Sequence, residues 1–287
     1  MLAALDPVPA WWPTMLGVLF AAGVGHLVWT SAGPRALLEE AGSRLALAAA
    51  VAARLPHLAR RRSWIARQTY GAAVGNLHVI LLVGVFIGMI FALQTGIELA
   101  RFGQQDQIGP LVAAGLAREM GPFITALILA STYGSALAAE MGTMAVSDEL
   151  TALEVMSIDR VSLLVLPRVV ALAIVCPAMT VICDTIGIIG GGFVASAQLG
   201  VGWDLYIDTS LSALAGLGEG VPLPKDVFGG LFKAFWFGIT VGVISCASGI
   251  AARGGALGVG RATSRAVRDA TIAVIVANYF LTWLLYR

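Results

Sequence analysis

Long runs without a charged side chain restrict the fold of this 287-residue chain more than any other feature of its sequence. A helix needs about 20 apolar residues to cross the hydrocarbon core of a membrane. Runs that approach or exceed this length, with at most two charges each, are residues 71–97, 108–139, 169–203, 227–252 and 270–286. None of them shows the alternation of a membrane β-strand. The sequence therefore predicts an all-α membrane protein with five core transmembrane helices.

The scarcity of charge also excludes several classes of protein. Only 12% of the residues are charged and the net charge is +1, so the chain lacks the basic surface that nucleic-acid binding requires. Neither Lys225 nor Lys233 stands in the Gly-Lys-Ser/Thr motif of a P-loop, so the chain is not itself an ATPase of that kind. We find no nucleophile–base arrangement and no metal-ligand spacing in the sequence. We therefore expect neither an enzyme nor a bound cofactor or metal.

The charged residues are distributed unevenly along the chain. Arginines cluster before the first run and between the fourth and fifth runs, whereas residues 203–226 carry four acidic residues and one lysine. Because basic connections tend to stay in the cytoplasm, the arginine-rich segments are predicted inside and the acidic segment outside. With five spans, the connection 140–168 then lies in the cytoplasm and Arg287 lies outside.

The residues before the first span divide into two parts. Residues 1–38 form an N-terminal extension, in which the uncharged run 7–34 fits a sixth span, a membrane-dipping segment or a signal-like leader. The lack of basic residues before this run disfavours the leader, and we favour a membrane-embedded segment. Residues 39–67 are predicted to form an interfacial helix with arginines that reach lipid phosphates. One face of that helix would comprise Leu45, Ala48, Ala49, Ala52 and Leu55.

Four ionisable side chains fall inside the predicted spans, where each costs roughly 2.5–3.5 kcal/mol on insertion. They are Arg118, Glu119, Lys233 and Asp184. One interpretation is that they face an internal cavity and contact a polar head group. The other is that they form ion pairs, or for Asp184 a hydrogen bond, that hold the helices together. Arg118 and Glu119 point about 100° apart on a helix, so they need not pair with each other.

Glycines recur at a spacing that lets helices approach closely. Gly84 and Gly88 form one such pair, and Gly238 and Gly242 form another. Close packing is the simpler interpretation of these pairs, and a role as hinges in a transport cycle is the alternative.

The predicted cytoplasmic connection contains a short amphipathic helix. Ser147 is its expected N-cap, and Asp148 and Glu149 then suit the positive end of the helix. Its apolar residues recur every three positions and are Leu150, Leu153 and Met156. An acidic helix is poorly suited to an anionic membrane surface, so the pattern favours docking on a partner protein over lying on the membrane.

Several sequence blocks occur together over most of the chain. They are Arg118-Glu119-Met120-Gly121-Pro122, Gly134-Ser135-Ala136, residues 139–144, residues 148–156, Pro167-Arg168, and Gly260-Arg261-Ala262-Thr263. In this order and spacing they resemble the MlaE/YrbE family, the permease subunits of ABC transporters that work with MCE-domain proteins. Two blocks depart from the family, which often has a basic residue where Thr132 stands and usually has Glu-Gln-Ile-Asp-Ala-Leu where residues 148–153 stand.

The resemblance implies a function and a set of partners. An MlaE-type permease domain would cover residues 68–287 of a multi-pass protein in a bacterial inner membrane. Such permeases move phospholipids or related lipids between that membrane and the periplasm. The implied partners are a separate ABC ATPase subunit, a periplasmic MCE-domain protein, in some systems a STAS-type small subunit, and a second copy in a homodimer.

The resemblance also implies roles for individual residues. Coupling to the ATPase would involve Glu140, Asp148, Glu149, Leu150, Leu153, Glu154 and Met156. The substrate pathway would include Arg118, Glu119, Lys233, Asp184 and Gln94. The alternative function is a stand-alone secondary transporter or channel that uses the intramembrane charges as an ion relay. An odd number of core spans and the lack of a visible inverted repeat argue against this alternative.

Overall fold

A computed structural model describes residues 34–56, 62–218 and 221–286 of the chain. The chain divides into two compact units, residues 1–47 and residues 48–287, and the second unit contains every span described below. Apart from one short hairpin, the described residues form helices and their connections, which confirms the all-α class. The predicted membrane-embedded segment at residues 7–34 lies outside the described residues, except for Pro34.

Five helical segments of the described chain are long and apolar enough to cross a membrane, as the sequence predicts. They are Arg62–Arg101, Gln105–Val146, Val161–Gln198, Lys225–Ile250 and Gly255–Tyr286. The first contains 40 residues, which gives a length of about 60 Å, twice the thickness of a hydrocarbon core. It therefore continues well into the polar residues that flank the membrane.

The elements follow one another in a simple order. The helices are α1 (Pro34–Ala53), α2 (Arg62–Arg101), α3 (Ile108–Gly115), α4 (Gly121–Leu129), α5 (Ser135–Val146), α6 (Glu149–Val155), α7 (Leu166–Gln198), α8 (Trp203–Leu214), α9 (Lys225–Ile250) and α10 (Gly255–Tyr286). Strands β1 (Leu217–Gly218) and β2 (Val221–Pro224) form an antiparallel hairpin before α9. A 3₁₀ turn precedes α3, at Gln105–Gln107. Three π-helical turns, Leu116–Met120, Ala130–Gly134 and Val161–Val165, join α3 to α4, join α4 to α5 and lead into α7.

The predicted interfacial helix differs from the helix observed. Helix α1 ends at Ala53, shortly before Pro56, because a proline disfavours helical conformation in the residue before it. Residues 62–67, which the sequence assigns to the same helix, form the first turns of α2. Leu45 and Leu55 of the predicted apolar face are exposed, so these two side chains are available to contact a membrane. Its location at the membrane interface stays a prediction.

The third span lies at the centre of the bundle. Helix α7 is the most buried of the spanning helices, and α10 is the least buried. The close approach of α7 to α2 requires glycine. A Cβ on Gly88 would overlap the carbonyl of Gly187, and a Cβ on Gly84 would lie 3.1 Å from the carbonyl oxygen of Cys183. Helix α9 meets α7 at Gly238 in the same way. The glycine pairs therefore serve helix packing, as the simpler interpretation predicts.

Two apolar clusters fill the bundle. The larger one joins α2, α4, α5, α7, α9 and α10, and Phe237 is completely buried within it. The smaller one surrounds Tyr206 and joins α2, α3 and α7 to α8. Leu116, at the start of the first π-helical turn, belongs to the smaller cluster, which therefore holds this turn in place.

Candidate functional site

The second span is irregular at the position of its two charged residues. The π-helical turn Leu116–Met120 contains both Arg118 and Glu119. A π-helical turn adds one residue to the turn of a helix and is frequent at functional sites. Arg118 pairs with Asp226 and Glu119 pairs with Lys233, so the two neighbours have different partners on α9. The prediction that they need not pair with each other is confirmed.

The Glu119–Lys233 pair connects three spans. The Lys233 side chain is completely buried, and its ammonium lies 2.6 Å from Glu119 Oε1. The ammonium also donates to the Thr282 hydroxyl at 2.7 Å. Glu119 accepts hydrogen bonds from Thr282 Oγ1 at 3.0 Å and from Asn278 Nδ2 at 3.1 Å. These extra hydrogen bonds are what a buried ion pair needs to offset the cost of leaving water.

Pro122 prepares a further partner for Lys233. A proline has no N–H, so it cannot donate to the carbonyl of the residue four positions earlier in a helix. That carbonyl belongs to Arg118, and it accepts a hydrogen bond of 3.0 Å from the Lys233 ammonium. The proline four residues after Arg118 thus indicates, from the sequence, that the Arg118 carbonyl can accept a hydrogen bond from another helix.

Arg118 and Asp226 form a two-point ion pair. Arg118 Nε lies 2.6 Å from Asp226 Oδ1, and Arg118 Nη2 donates to Asp226 Oδ2 at 2.8 Å. Asp226 stands in the first turn of α9, where the helix dipole favours a carboxylate. The Arg118 guanidinium, the Lys233 ammonium and the Lys225 ammonium lie 5.3, 5.3 and 5.7 Å from the centre of the Tyr286 ring. One aromatic ring thus has three cations within about 6 Å of its centre.

These side chains form one group, which we call the polar cluster. Its members are Arg118, Glu119, Asp226, Lys233, Asn278, Thr282 and Tyr286. The Arg118 side chain is 47% exposed, whereas Asn278 Oδ1 and the Tyr286 hydroxyl are buried and have no hydrogen-bond partner among the described residues. The cluster therefore combines an accessible cation with unused hydrogen-bonding atoms. Within the described ranges, no group of three or more His, Cys, Asp or Glu side chains is placed to hold a metal ion.

Two of the predicted pathway residues lie elsewhere. Asp184 lies on α7 against Gly121, where an added Cβ would overlap its carboxylate, and Asp184 Oδ1 is buried without a partner. Gln94 is exposed on α2. The structure thus brings Arg118, Glu119 and Lys233 together, and a pathway role for Asp184 and Gln94 stays a prediction.

Four members of the polar cluster are not among the sequence-based candidates. Asp226 belongs to the acidic connection that the sequence places outside the membrane, and Tyr286 is the last residue of the last uncharged run. Asn278 and Thr282 are uncharged, so a search for charges passes over them. Their spacing of four residues on one helix face is the signal that identifies them.

The predicted cytoplasmic connection begins differently from the sequence-based expectation. Ser147 is not the N-cap of α6, because its N–H bonds the Thr143 carbonyl at 3.0 Å and ends α5. Asp148 precedes α6 instead, with a φ of 60°. The chain changes direction between two helices at this point and needs a left-handed residue, a conformation that Asp tolerates better than most side chains.

The apolar strip of α6 has an inner end and an outer end. Leu150 is buried, Leu153 is half-buried, and Met156 is 60% exposed beside Val155, which is 82% exposed. Asp148, Glu149 and Glu154 are all exposed. The helix is therefore anchored to the bundle by Leu150 and presents acidic and apolar side chains outward.

Ion pairs hold the residues around α6. Glu154 Oε1 lies 2.7 Å from Arg160 Nη1, and Arg54 pairs with Asp159. Burial raises the pKa of Asp159, but hydrogen bonds from Arg54 and from two backbone N–H groups outweigh it and bring the pKa below its ordinary value. Glu140, for which the family resemblance implies a role in ATPase coupling, lies within α5.

Comparison with known proteins agrees with this architecture. The family model described as Permease MlaE matches residues 65–284. A probable ABC transporter permease protein of Rickettsia prowazekii is 36% identical over 225 residues, which cover 78% of this chain and 84% of the relative. The intermembrane phospholipid transport system permease protein MlaE of Haemophilus influenzae is 33% identical over 231 residues, 80% of this chain and 86% of the relative.

A plant protein is similar over a shorter part of its length. The chloroplastic protein TRIGALACTOSYLDIACYLGLYCEROL 1 of Arabidopsis thaliana is 34% identical over 207 residues, 72% of this chain and 57% of that protein. The family match covers nearly the whole of the five spans, including the π-helical turn with Arg118 and Glu119. This multi-pass membrane protein therefore belongs to the MlaE family of ABC transporter permeases.

Proposed function

We propose that this chain is the permease subunit of an ABC transporter that moves phospholipid between a bacterial inner membrane and a periplasmic MCE-domain partner. The observation that carries the proposal is the polar cluster, which sets the accessible Arg118 beside the buried Lys233 and their two carboxylate partners, where the second and fourth spans meet. The name of the Haemophilus influenzae relative supports phospholipid as the substrate.

The polar cluster suits the head group of such a lipid. Arg118 and the exposed Lys225 offer positive charge to a phosphate, and Asn278 Oδ1 and the Tyr286 hydroxyl offer unused hydrogen-bonding capacity. Large apolar side chains lie exposed beside the cluster on the same two helices, and they suit acyl chains. They are Phe228, Phe232 and Trp236 on α9 and Tyr279, Phe280 and Trp283 on α10.

The energy for transport would come from a separate subunit, since the sequence has no P-loop. We propose that this ATPase docks on α6, whose exposed carboxylates and apolar side chains fit a groove in a partner protein. A homodimer of the permease and a STAS-type small subunit are further expectations from the family resemblance.

The docking role of α6 is tested by reversing the charge of Glu149. The variant Glu149→Lys is co-expressed with the cognate ABC ATPase, and the amount of ATPase retained on the purified permease is measured. We expect retention to fall about tenfold, which corresponds to about 1.4 kcal/mol, because the reversed charge repels the surface that receives an acidic helix. ATP-dependent transfer of labelled phosphatidylethanolamine from proteoliposomes to the MCE-domain protein should fall with it.

Glu98→Lys is the matched control. Glu98 is also an exposed carboxylate, but it lies near the C-terminal end of α2 and outside α6. Its side chain is 62% exposed and pairs with Arg101. This variant should retain the ATPase fully. Normal retention and transfer by Glu149→Lys would show that α6 is not the docking helix. Gradient-driven transport by the permease alone, without ATPase or ATP, would favour a secondary transporter instead.

A further inference from the structure

An ion pair at the base of the cytoplasmic connection lies outside the polar cluster. The Arg168 side chain, near the start of α7, is only 2% exposed. Its Nη2 donates to Glu140 Oε1 at 2.6 Å, and its Nη1 donates to the Leu164 carbonyl at 2.8 Å. Glu140 belongs to α5, through which the chain enters the connection, and Leu164 belongs to the π-helical turn through which it leaves. One guanidinium thus joins the two ends of the connection.

This arrangement is a poor source of stability. Removing an arginine from water is expensive, and a buried ion pair is often no more stabilising than apolar side chains of the same volume. Arg168 Nε is also buried without a hydrogen-bond partner, which adds to the cost. A buried charge that contributes little stability is better explained by the geometry it fixes, which here is the separation between α5 and α7.

The residues between Glu140 and Arg168 are held in a fixed conformation around α6. Non-glycine residues in the left-handed region stand on both sides of α6, Asp148 with a φ of 60° and Ser157 with a φ of 57°. Such residues persist only where the surrounding structure holds them. The Glu154–Arg160 pair closes the far side of α6, and Leu150 seats the helix on the bundle. A force on α6 therefore displaces the connection as a unit and reaches the bundle through its two ends.

We propose that Glu140 and Arg168 are positioning residues that transmit the movement of α6 to the second and third spans. This inference rests on the proposed function, in which an ATPase moves α6. In this inference Glu140 transmits movement within the permease and is not part of the ATPase-binding surface that the family resemblance implies. The second span then carries the displacement from α5, through the π-helical turn Ala130–Gly134 and α4, to the π-helical turn that contains Arg118 and Glu119.

The variant Glu140→Gln tests the proposal, because the amide keeps the shape of a side chain that is 47% exposed; its unfolding midpoint is measured as well, since the change leaves the buried Arg168 charge without its carboxylate. The purified complex with the ATPase is reconstituted in vesicles of phosphatidylethanolamine and phosphatidylglycerol. We measure retention of the ATPase, ATP hydrolysis, and ATP-dependent transfer of labelled phosphatidylethanolamine to the MCE-domain protein. We expect retention and hydrolysis to stay normal while transfer falls about tenfold, within the range of typical coupling between two sites.

A charge exchange provides the second variant. Glu140→Arg combined with Arg168→Glu restores an ion pair between the same two positions, so it should recover part of the transfer that Glu140→Gln loses. Glu98→Gln is the matched control, because it removes one carboxylate from an exposed ion pair, the 3.2 Å contact with Arg101. It should leave all three measurements unchanged.

Two results would overturn the inference. Normal transfer by Glu140→Gln would show that the pair does not transmit movement. Loss of the ATPase from Glu140→Gln would show that Glu140 belongs to the docking surface. Failure of the proposed function is a different result, since the unmodified complex would then transfer no lipid with ATP.

Discussion

At the scale of single residues, Lys233 and Glu119 depend on each other unequally. The Lys233 side chain is completely buried, and among the described residues its one charged partner is Glu119 at 2.6 Å. The Glu119 side chain is 31% exposed and has neutral donors in Thr282 and Asn278. Loss of the carboxylate therefore leaves a buried charge uncompensated, whereas loss of the ammonium leaves a carboxylate that is still hydrogen-bonded.

This asymmetry predicts the order of stability of two variants. Glu119→Gln should destabilise the protein by about 3–5 kcal/mol, the usual cost of breaking a buried ion pair from one side. Lys233→Met removes the buried charge and fills its space with an apolar side chain, so this variant should lose less stability than Glu119→Gln. Thermal unfolding of both variants in the same detergent measures the difference. A lower midpoint for Lys233→Met than for Glu119→Gln would contradict this account.

The sequence reveals charged site residues more readily than neutral ones. Arg118, Glu119 and Lys233 stand out because a charge inside a span is costly and needs a reason. Asp226 does not stand out, because it belongs to the acidic connection and only the structure shows that α9 brings it to Arg118. Which residue pairs with which depends on the rotation of each helix, and a π-helical turn changes that rotation without a mark in the composition.

At the scale of elements, the contact between α2 and α7 is set by glycine. A Cβ on Gly88 would overlap the backbone of Gly187, which is the far helix itself and not a flexible side chain. The variant Gly88→Ala should therefore push the helices apart and cost about 1–3 kcal/mol, as overpacking does elsewhere. The measurement is the unfolding midpoint in detergent.

Gly75 on the same helix is the matched control for this contact. No atom lies within 4 Å of the position that its Cβ would take, so Gly75→Ala should leave the midpoint unchanged or raise it. Equal effects of the two alanines would mean that helix propensity, and not the contact between helices, determines the result.

The spanning helices are the elements that the sequence predicts best. Their charge-free runs reflect one strong constraint, the cost of charge in lipid, and all five correspond to observed helices. Helix ends are harder to predict, since polar residues continue a helix beyond the membrane, as residues 62–67 do for α2. Local turns are harder still, and the N-cap placed at Ser147 is wrong because a left-handed Asp148 separates α5 from α6.

At the scale of the whole molecule, the distribution of charge predicts which side of the membrane each connection occupies. Asp208 lies in the acidic connection and Arg253 lies in an arginine-rich one, and both are exposed. The three native cysteines are buried, so they give little background with a membrane-impermeant maleimide. We expect Asp208→Cys to be labelled in intact spheroplasts and Arg253→Cys only after lysis. The reverse pattern would invert the topology.

The pairing of charges in the polar cluster has an electrical consequence. Moving one elementary charge through a membrane potential changes its energy by about 2.3 kcal/mol for every 100 mV. The Glu119–Lys233 and Arg118–Asp226 pairs each sum to zero. A translation of these four side chains as a unit therefore carries no net charge through the field, and the field adds no energy to that translation in a fully energised cell.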